Sequence, residues 1–131
     1  MKIIRKESLK TTQPFVAPLW EKIYEMYGKP EHLGETTHHS LATVLLGEGK
    51  TSPNHYHKVS EEIYYILSGT VRMRVNNEEF NISSWDSCII MPGDEHQIFN
   101  DTQEDVEFLV TSAPAWDPTD TYESPKSERS K

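Results

Sequence analysis

The sequence predicts an all-β domain, an antiparallel sandwich or barrel. Two observations predict it. From Leu41 to Ser112, short apolar or alternating runs are separated by turn residues. Between those runs there is no stretch of helical period, so successive strands have only tight connections and pair antiparallel. The chain has 131 residues, which suits one domain and leaves little room for two.

Leu41 to Leu46 is the first expected strand, stopped by Gly47-Glu48-Gly49. Glu62 to Leu67 is the next, stopped by Ser68-Gly69. Val71-Arg72-Met73-Arg74-Val75 alternates, and Asn76-Asn77 forms a hairpin turn into Phe80 and Ile82. Cys88 to Met91 ends at Pro92-Gly93-Asp94. Gln97 to Asn100 and Val106 to Val110 complete the set. Arg72 and Arg74 form a solvated outer face, and inward arginines would instead signal an anionic substrate. Before this core, residues 1–40 are mixed. Pro14 and Pro18 break any early helix. Leu19 to Tyr27 fits a short amphipathic helix ended by Gly28 and Pro30, and fits an extended arm equally well. After the core, residues 113–131 carry Pro114, Pro118, Pro125 and many small polar residues. The last dozen are expected to be mobile, with Trp116 and Tyr122 as anchors for the first part of the tail.

Charge narrows the partners. Lys and Arg number 13 and Asp and Glu 21, a net charge of −8. An acidic surface repels phosphate backbones and anionic lipid, which argues against nucleic acid and membrane. The longest apolar runs, Ile63 to Leu67 and Cys88 to Met91, are far short of a membrane span. The single cysteine, Cys88, allows no intrachain disulfide and reads as a small buried hydrophobe. No apolar stretch follows the basic start to make a signal peptide, so the expected location is cytoplasmic.

Histidine carries the chemistry. His55 and His57 are two apart, so on a strand both imidazoles reach one point. Glu62 shares a strand face with Tyr64 and Ile66, and Glu61 points the other way. A later segment supplies His96, with Ile98 and Asn100 on its face. Three imidazoles and a carboxylate suit a first-row divalent metal: Fe, Mn, Ni, Cu or Zn. Four protein ligands on an octahedral ion leave two positions for water or a bidentate substrate, as a working site requires. His38 and His39 read as a polar entry to the first strand, with one of them lining the pocket mouth as the alternative. Tyr64 is a weak catalytic candidate that can hydrogen-bond a substrate; a core tyrosine with its hydroxyl at the rim is the alternative.

These residues resemble a known family. Gly49, His55, His57, Glu62 and Gly69 stand at the five marked positions of the first cupin motif. Such a match arises by chance on the order of 10⁻⁴ or less per chain. The second motif is matched by Gly93, His96 and Asn100, whereas Trp85 and Met91 replace an expected Gly and Pro. The resemblance covers residues 41–112. It implies an antiparallel double Greek-key β-barrel, or jelly roll, as one cupin domain over 1–131. It further implies a metal on His55, His57, Glu62 and His96 at the barrel mouth, and frequent homodimers. Two functions follow. One is a metal-dependent enzyme on a small oxygenated substrate, either a dioxygenase or an isomerase or lyase. The other is a non-catalytic module binding a sugar or organic acid.

Overall fold

Seven residues of alternating burial, Ser40–Leu46 (β3), set the frame of the molecule. Ala42, Val44 and Leu46 point inward, and Leu41, Thr43 and Leu45 stand on the other face. The computed structural model describes residues 2–11, 14–17, 21–29 and 36–125. Its other strands are β1 (Phe15–Val16), β2 (Lys22–Tyr27), β4 (His55–Tyr56), β5 (Glu61–Ser68), β6 (Thr70–Val75), β7 (Glu78–Ser83), β8 (Ser87–Ile90), β9 (His96–Phe99), β10 (Val106–Ala113) and β11 (Tyr122–Glu123). One short helix, α1 (Lys6–Thr11), and a 3-10 turn, Pro118–Asp120, complete the described elements.

Every strand pairing among the described residues is antiparallel, as the alternating runs predicted. A six-stranded sheet runs β1-β2-β3-β10-β5-β8, and a five-stranded sheet runs β11-β4-β9-β6-β7. The sheets do not close into the expected barrel. The edge strands β7 and β8 do not pair with each other, and the chain crosses from one sheet to the other between them. There the Trp85 amide donates to the Ile66 carbonyl at 2.8 Å, and the Ile66 amide donates to the Asp86 carbonyl at 3.0 Å. This turn hands the chain from one sheet to the other, so β7 ends one sheet and β8 begins the edge of the second. The inner faces meet in a core of Val44, Leu46, Ile66, Met73, Ile98, Val106 and Phe108. Each such side chain contributes about 1.5–3 kcal/mol by leaving water. That outweighs an exposed ion pair such as Arg72 with Glu79, for which about 0–1 kcal/mol is usual.

The Leu19 to Tyr27 segment resolves in favour of the extended reading over its described part: Lys22–Tyr27 is β2. Ile23 lies opposite Val44 and Glu25 opposite Ala42, which covers the edge of β3. The apolar residues here satisfy either period, and pairing with β3 decides between them. Leu19 and Trp20 lie outside the described residues. The tail is ordered further than its composition suggested. Tyr122–Glu123 pairs with β4, and residues 126–131 lie outside the described residues. Tyr122 stacks on Tyr56 with centroids 5.3 Å apart, so the expected anchor is in place. Trp116 meets Phe15 at 6.3 Å, and its amide donates to Ser40 Oγ.

The turns explain the motif glycines. At Gly69, φ is +90°, and a Cβ would sit 2.8 Å from Val106 Cγ2, so only glycine fits without displacement. Trp85, standing where the second motif expects glycine, adopts φ 78° and keeps the left-handed turn despite its side chain. Met91, standing where proline is expected, uses its amide to donate to Asp94 Oδ2 at 3.1 Å, a bond proline cannot make. No helix among the described residues is long and apolar enough to cross a membrane.

Candidate metal centre

Strand pairing brings the predicted residues together. His55 on β4 pairs with His96 on β9 in the five-stranded sheet, and their rings lie 4.2 Å apart. His57 follows just beyond β4, its ring 5.3 Å from that of His55. Glu62 projects from β5 of the facing sheet, on the inward side with Tyr64 and Ile66. Glu61 points outward and is exposed, as the strand period required. One ligand atom from each of His55, His57, Glu62 and His96 lies within 4.8 Å of all the others. His57, Glu62 and His96 are buried, and His55 is half-buried.

The hydrogen bonds set the tautomers. Each imidazole places Nδ1 against a backbone carbonyl: His55 on Pro53 at 2.8 Å, His57 on Asp120 at 2.9 Å and His96 on Asp94 at 2.9 Å. Nδ1 therefore carries the hydrogen, and Nε2 presents a bare lone pair. Ser112, opposite Glu62 on β10, donates to Glu62 Oε2 at 2.8 Å and leaves Oε1 facing the imidazoles. His57 Nε2 and His96 Nε2 lie 3.2 and 3.3 Å from that oxygen. All three atoms are buried without a hydrogen-bond partner. Converging acceptors of this kind suit a cation between them, a metal ion or, without one, a proton on an imidazole Nε2. A metal bound at about 2.1 Å holds adjacent ligand atoms about 3.0 Å apart, close to the observed spacing. The four residues can hold a metal ion.

The electrostatics differ between the ligands in the metal-free protein. Burial, with the neighbouring His96, pushes His55 down to about 3, so it stays a neutral ligand near pH 7. Burial works against charge on both His57 and Glu62, yet their mutual attraction prevails. His57 is raised, and Glu62, held by His57 and His96, falls below the usual carboxylate range.

Tyr64 stands on the Glu62 face as expected. It is 3% exposed, edge-on to His96 at 5.8 Å and stacked on Phe108 at 5.5 Å. Burial, then the charges of Glu62 and Glu21, raise its phenol well above its ordinary value, so it keeps its proton. His38 and His39 are exposed just before β3, apart from the cluster, and His32 lies outside the described residues. Arg72 and Arg74 face outward: Arg72 binds Asp101 at 2.7 Å, Arg74 binds Gln97 at 2.8 Å, and both cover Phe99. Asn100 holds a loop, donating to the carbonyls of Leu46, Gly47 and Glu104. Cys88 is half-buried against the core, and burial raises its thiol.

Three residues near the centre carry no motif. Ser112 is recognisable only from the β5–β10 register. Asp120 sits in a stretch whose composition reads as loose tail. Glu21 is 6% exposed, buried near enough to Glu62 and Tyr64 for its charge to act on both. Strand alternation would have placed it on one face with Ile23 and Glu25, had β2 been distinguishable from a helix.

Residues 42–112 match the cupin domain family. Over 121 residues the chain is 33% identical to an uncharacterized protein from Methanocaldococcus jannaschii, covering 92% of this chain and 94% of that protein. The chain belongs to the cupin family. This cupin is also 35% identical over 70 residues to an oxalate-binding protein from Thermotoga maritima, a match spanning 53% of the chain and 58% of that protein. Among solved structures, it resembles a conserved protein with a double-stranded β-helix domain from Klebsiella pneumoniae. The TM-score is 0.74 at 15% identity, over 96% of this chain and 99% of that one. It also resembles a predicted oxalate decarboxylase from Thermotoga maritima, with TM-score 0.73 and 23% identity, over 86% and 99% of the two chains. At these identities the structures establish the fold.

Proposed function

We propose that this cupin holds one divalent first-row metal on His55, His57, Glu62 and His96 and uses it to act on a small oxygen-bearing molecule. One observation carries this reading: three buried lone-pair atoms, His57 Nε2, His96 Nε2 and Glu62 Oε1, converge without hydrogen-bond partners. A bound ion supplies Lewis acidity, and a redox-active one supplies oxygen chemistry. The chain does the rest. Backbone carbonyls fix the three imidazole rings, and Ser112 fixes the carboxylate. The Tyr64 phenol keeps its proton and serves as a hydrogen-bond donor. Glu21, buried and raised by burial to about 8, also holds a proton near neutral pH. Isomerase or lyase chemistry and dioxygenase chemistry share this frame; oxygen uptake with a diol or diketone separates them.

The oxalate-binding relative favours a second reading, capture without turnover. Calorimetry with oxalate tests the shared claim and then divides the two readings. The metal-loaded protein is expected to bind oxalate, and chelation is expected to abolish it. Binding that survives chelation would contradict a metal-centred pocket. A product formed from oxalate, absent in His96→Ala, would select the enzyme.

The chain is further proposed to pair as a homodimer through the outer face of β5 and β8. Ile63 and Ile89 oppose each other there, 40% and 52% exposed, beside Met91 at 47%. Apolar surface on an edge strand calls for a cover.

A further inference from the structure

The three imidazoles are oriented by different parts of the chain. His55 and His96 each find their carbonyl two residues away, at Pro53 and Asp94. His57 finds its carbonyl 63 residues away, at Asp120, beyond the family match that ends at residue 112. We infer that the segment from Asp117 to Ser124 is part of the metal centre and that Asp120 is a positioning residue for His57. This rests on the metal reading above.

Asp120 grips the His57 loop in two ways. Its backbone carbonyl accepts from His57 Nδ1 at 2.9 Å. Its carboxylate accepts from the loop that leads to Glu62: Oδ1 from the Lys58 amide at 2.9 Å and the Val59 amide at 3.2 Å, Oδ2 from the Val59 amide at 3.2 Å and the Ser60 amide at 3.1 Å. A carboxylate facing three successive amides fixes the path of that loop more firmly than water would. Thr121 Oγ1 adds a contact to His57 Nδ1 at 3.4 Å.

The segment is itself tied down on both sides. Before Asp120, Asp117 caps the 3-10 turn by accepting from the Thr119 amide at 2.9 Å, and Asp117 also pairs with Lys29. After it, β11 pairs with β4, and the Ser124 amide donates to the Asn54 carbonyl at 2.8 Å. A carbonyl held at both ends can fix the tautomer and the angle of the ring it meets. Loss of such an outer partner typically costs about 10–100-fold in metal affinity.

The test uses the full chain and Zn²⁺ in competition with a chromophoric chelator, with Asp120→Ala beside His57→Ala. Asp120→Ala keeps the backbone carbonyl but removes the carboxylate that places it, so this protein is expected to bind Zn²⁺ up to about 10-fold more weakly than the parent while its metal-free melting remains cooperative. Proton NMR of the metal-free protein supplies a readout that loss of folding alone would not mimic. The His57 Nδ1–H resonance is expected to broaden in Asp120→Ala, with those of His55 and His96 retained. Should Asp120→Ala not fold, Asp120→Asn, which keeps one acceptor oxygen, is expected to lose part of the affinity. Parent-like affinity in the Asp120 variants, with the metal lost from His57→Ala, overturns the inference and leaves the metal reading intact. A parent that binds no Zn²⁺ overturns both.

Discussion

Glu21 and Glu62 are both buried carboxyl groups, and their surroundings drive them in opposite directions. Glu62 meets His57 and His96 and stays charged; Glu21 meets burial and the charge of Glu62, and rises to about 8. Such a carboxyl binds its proton more tightly in the folded metal-free protein than in the unfolded chain. Its contribution to stability is therefore full below about pH 4.5 and lost as pH rises through about 8. Glu21→Gln removes that dependence. Denaturant unfolding should show the parent losing stability relative to the variant across this window, by on the order of a few kcal/mol. Parallel profiles would contradict a protonated Glu21. The two residues also differ in legibility. Glu62 was distinguishable from Glu61 because the six-residue gap to Gly69 matches the family motif, and the strand period then turns Glu61 outward. Glu21 was not, because its segment satisfied two periods and only the edge of β3 chose between them.

The elements show where local sequence decides and where it does not. The β6–β7 hairpin follows from alternation and Asn76, whose φ of 54° suits the turn. The strand that carries Glu62 was equally legible, because it is a short run bounded by turn residues; the two-residue strand at His55–Tyr56 was not, because pairing with β9 and β11 makes it. The separation into two sheets was not legible: the chain crosses between them at Trp85 and Asp86, whose backbone bonds to Ile66 no run of residues announces. Order in the tail was hidden for a similar reason. Tyr122–Glu123 has little strand character of its own and is held by β4 and the Tyr56 ring. The exposed face of β5 and β8 carries Ile63, Ile89 and Met91 and is proposed to pair with a second copy. Light scattering should read twice the chain mass of 15.1 kDa, and Ile89→Glu should halve the particle. A parent that runs at 15.1 kDa would show that Ile63, Ile89 and Met91 are left to solvent.

At the scale of the whole molecule, the centre exists only because two sheets face each other. The carboxylate comes from the six-stranded sheet, and the imidazoles come from the five-stranded sheet and the loop beyond β4. Composition and spacing were enough to gather the four side chains. They could not supply Ser112, Asp120 or Glu21, which reach the centre through register and tertiary contact. The central claim is that the converging atoms of His57, Glu62 and His96 are held apart by a metal. Elemental analysis of the protein, purified without chelator, beside His57→Ala tests this most directly. Near-stoichiometric first-row metal is expected in the parent, and its loss in the variant. No metal in either protein, even after reconstitution with each candidate ion, would contradict the account and leave the cupin fold without its proposed centre.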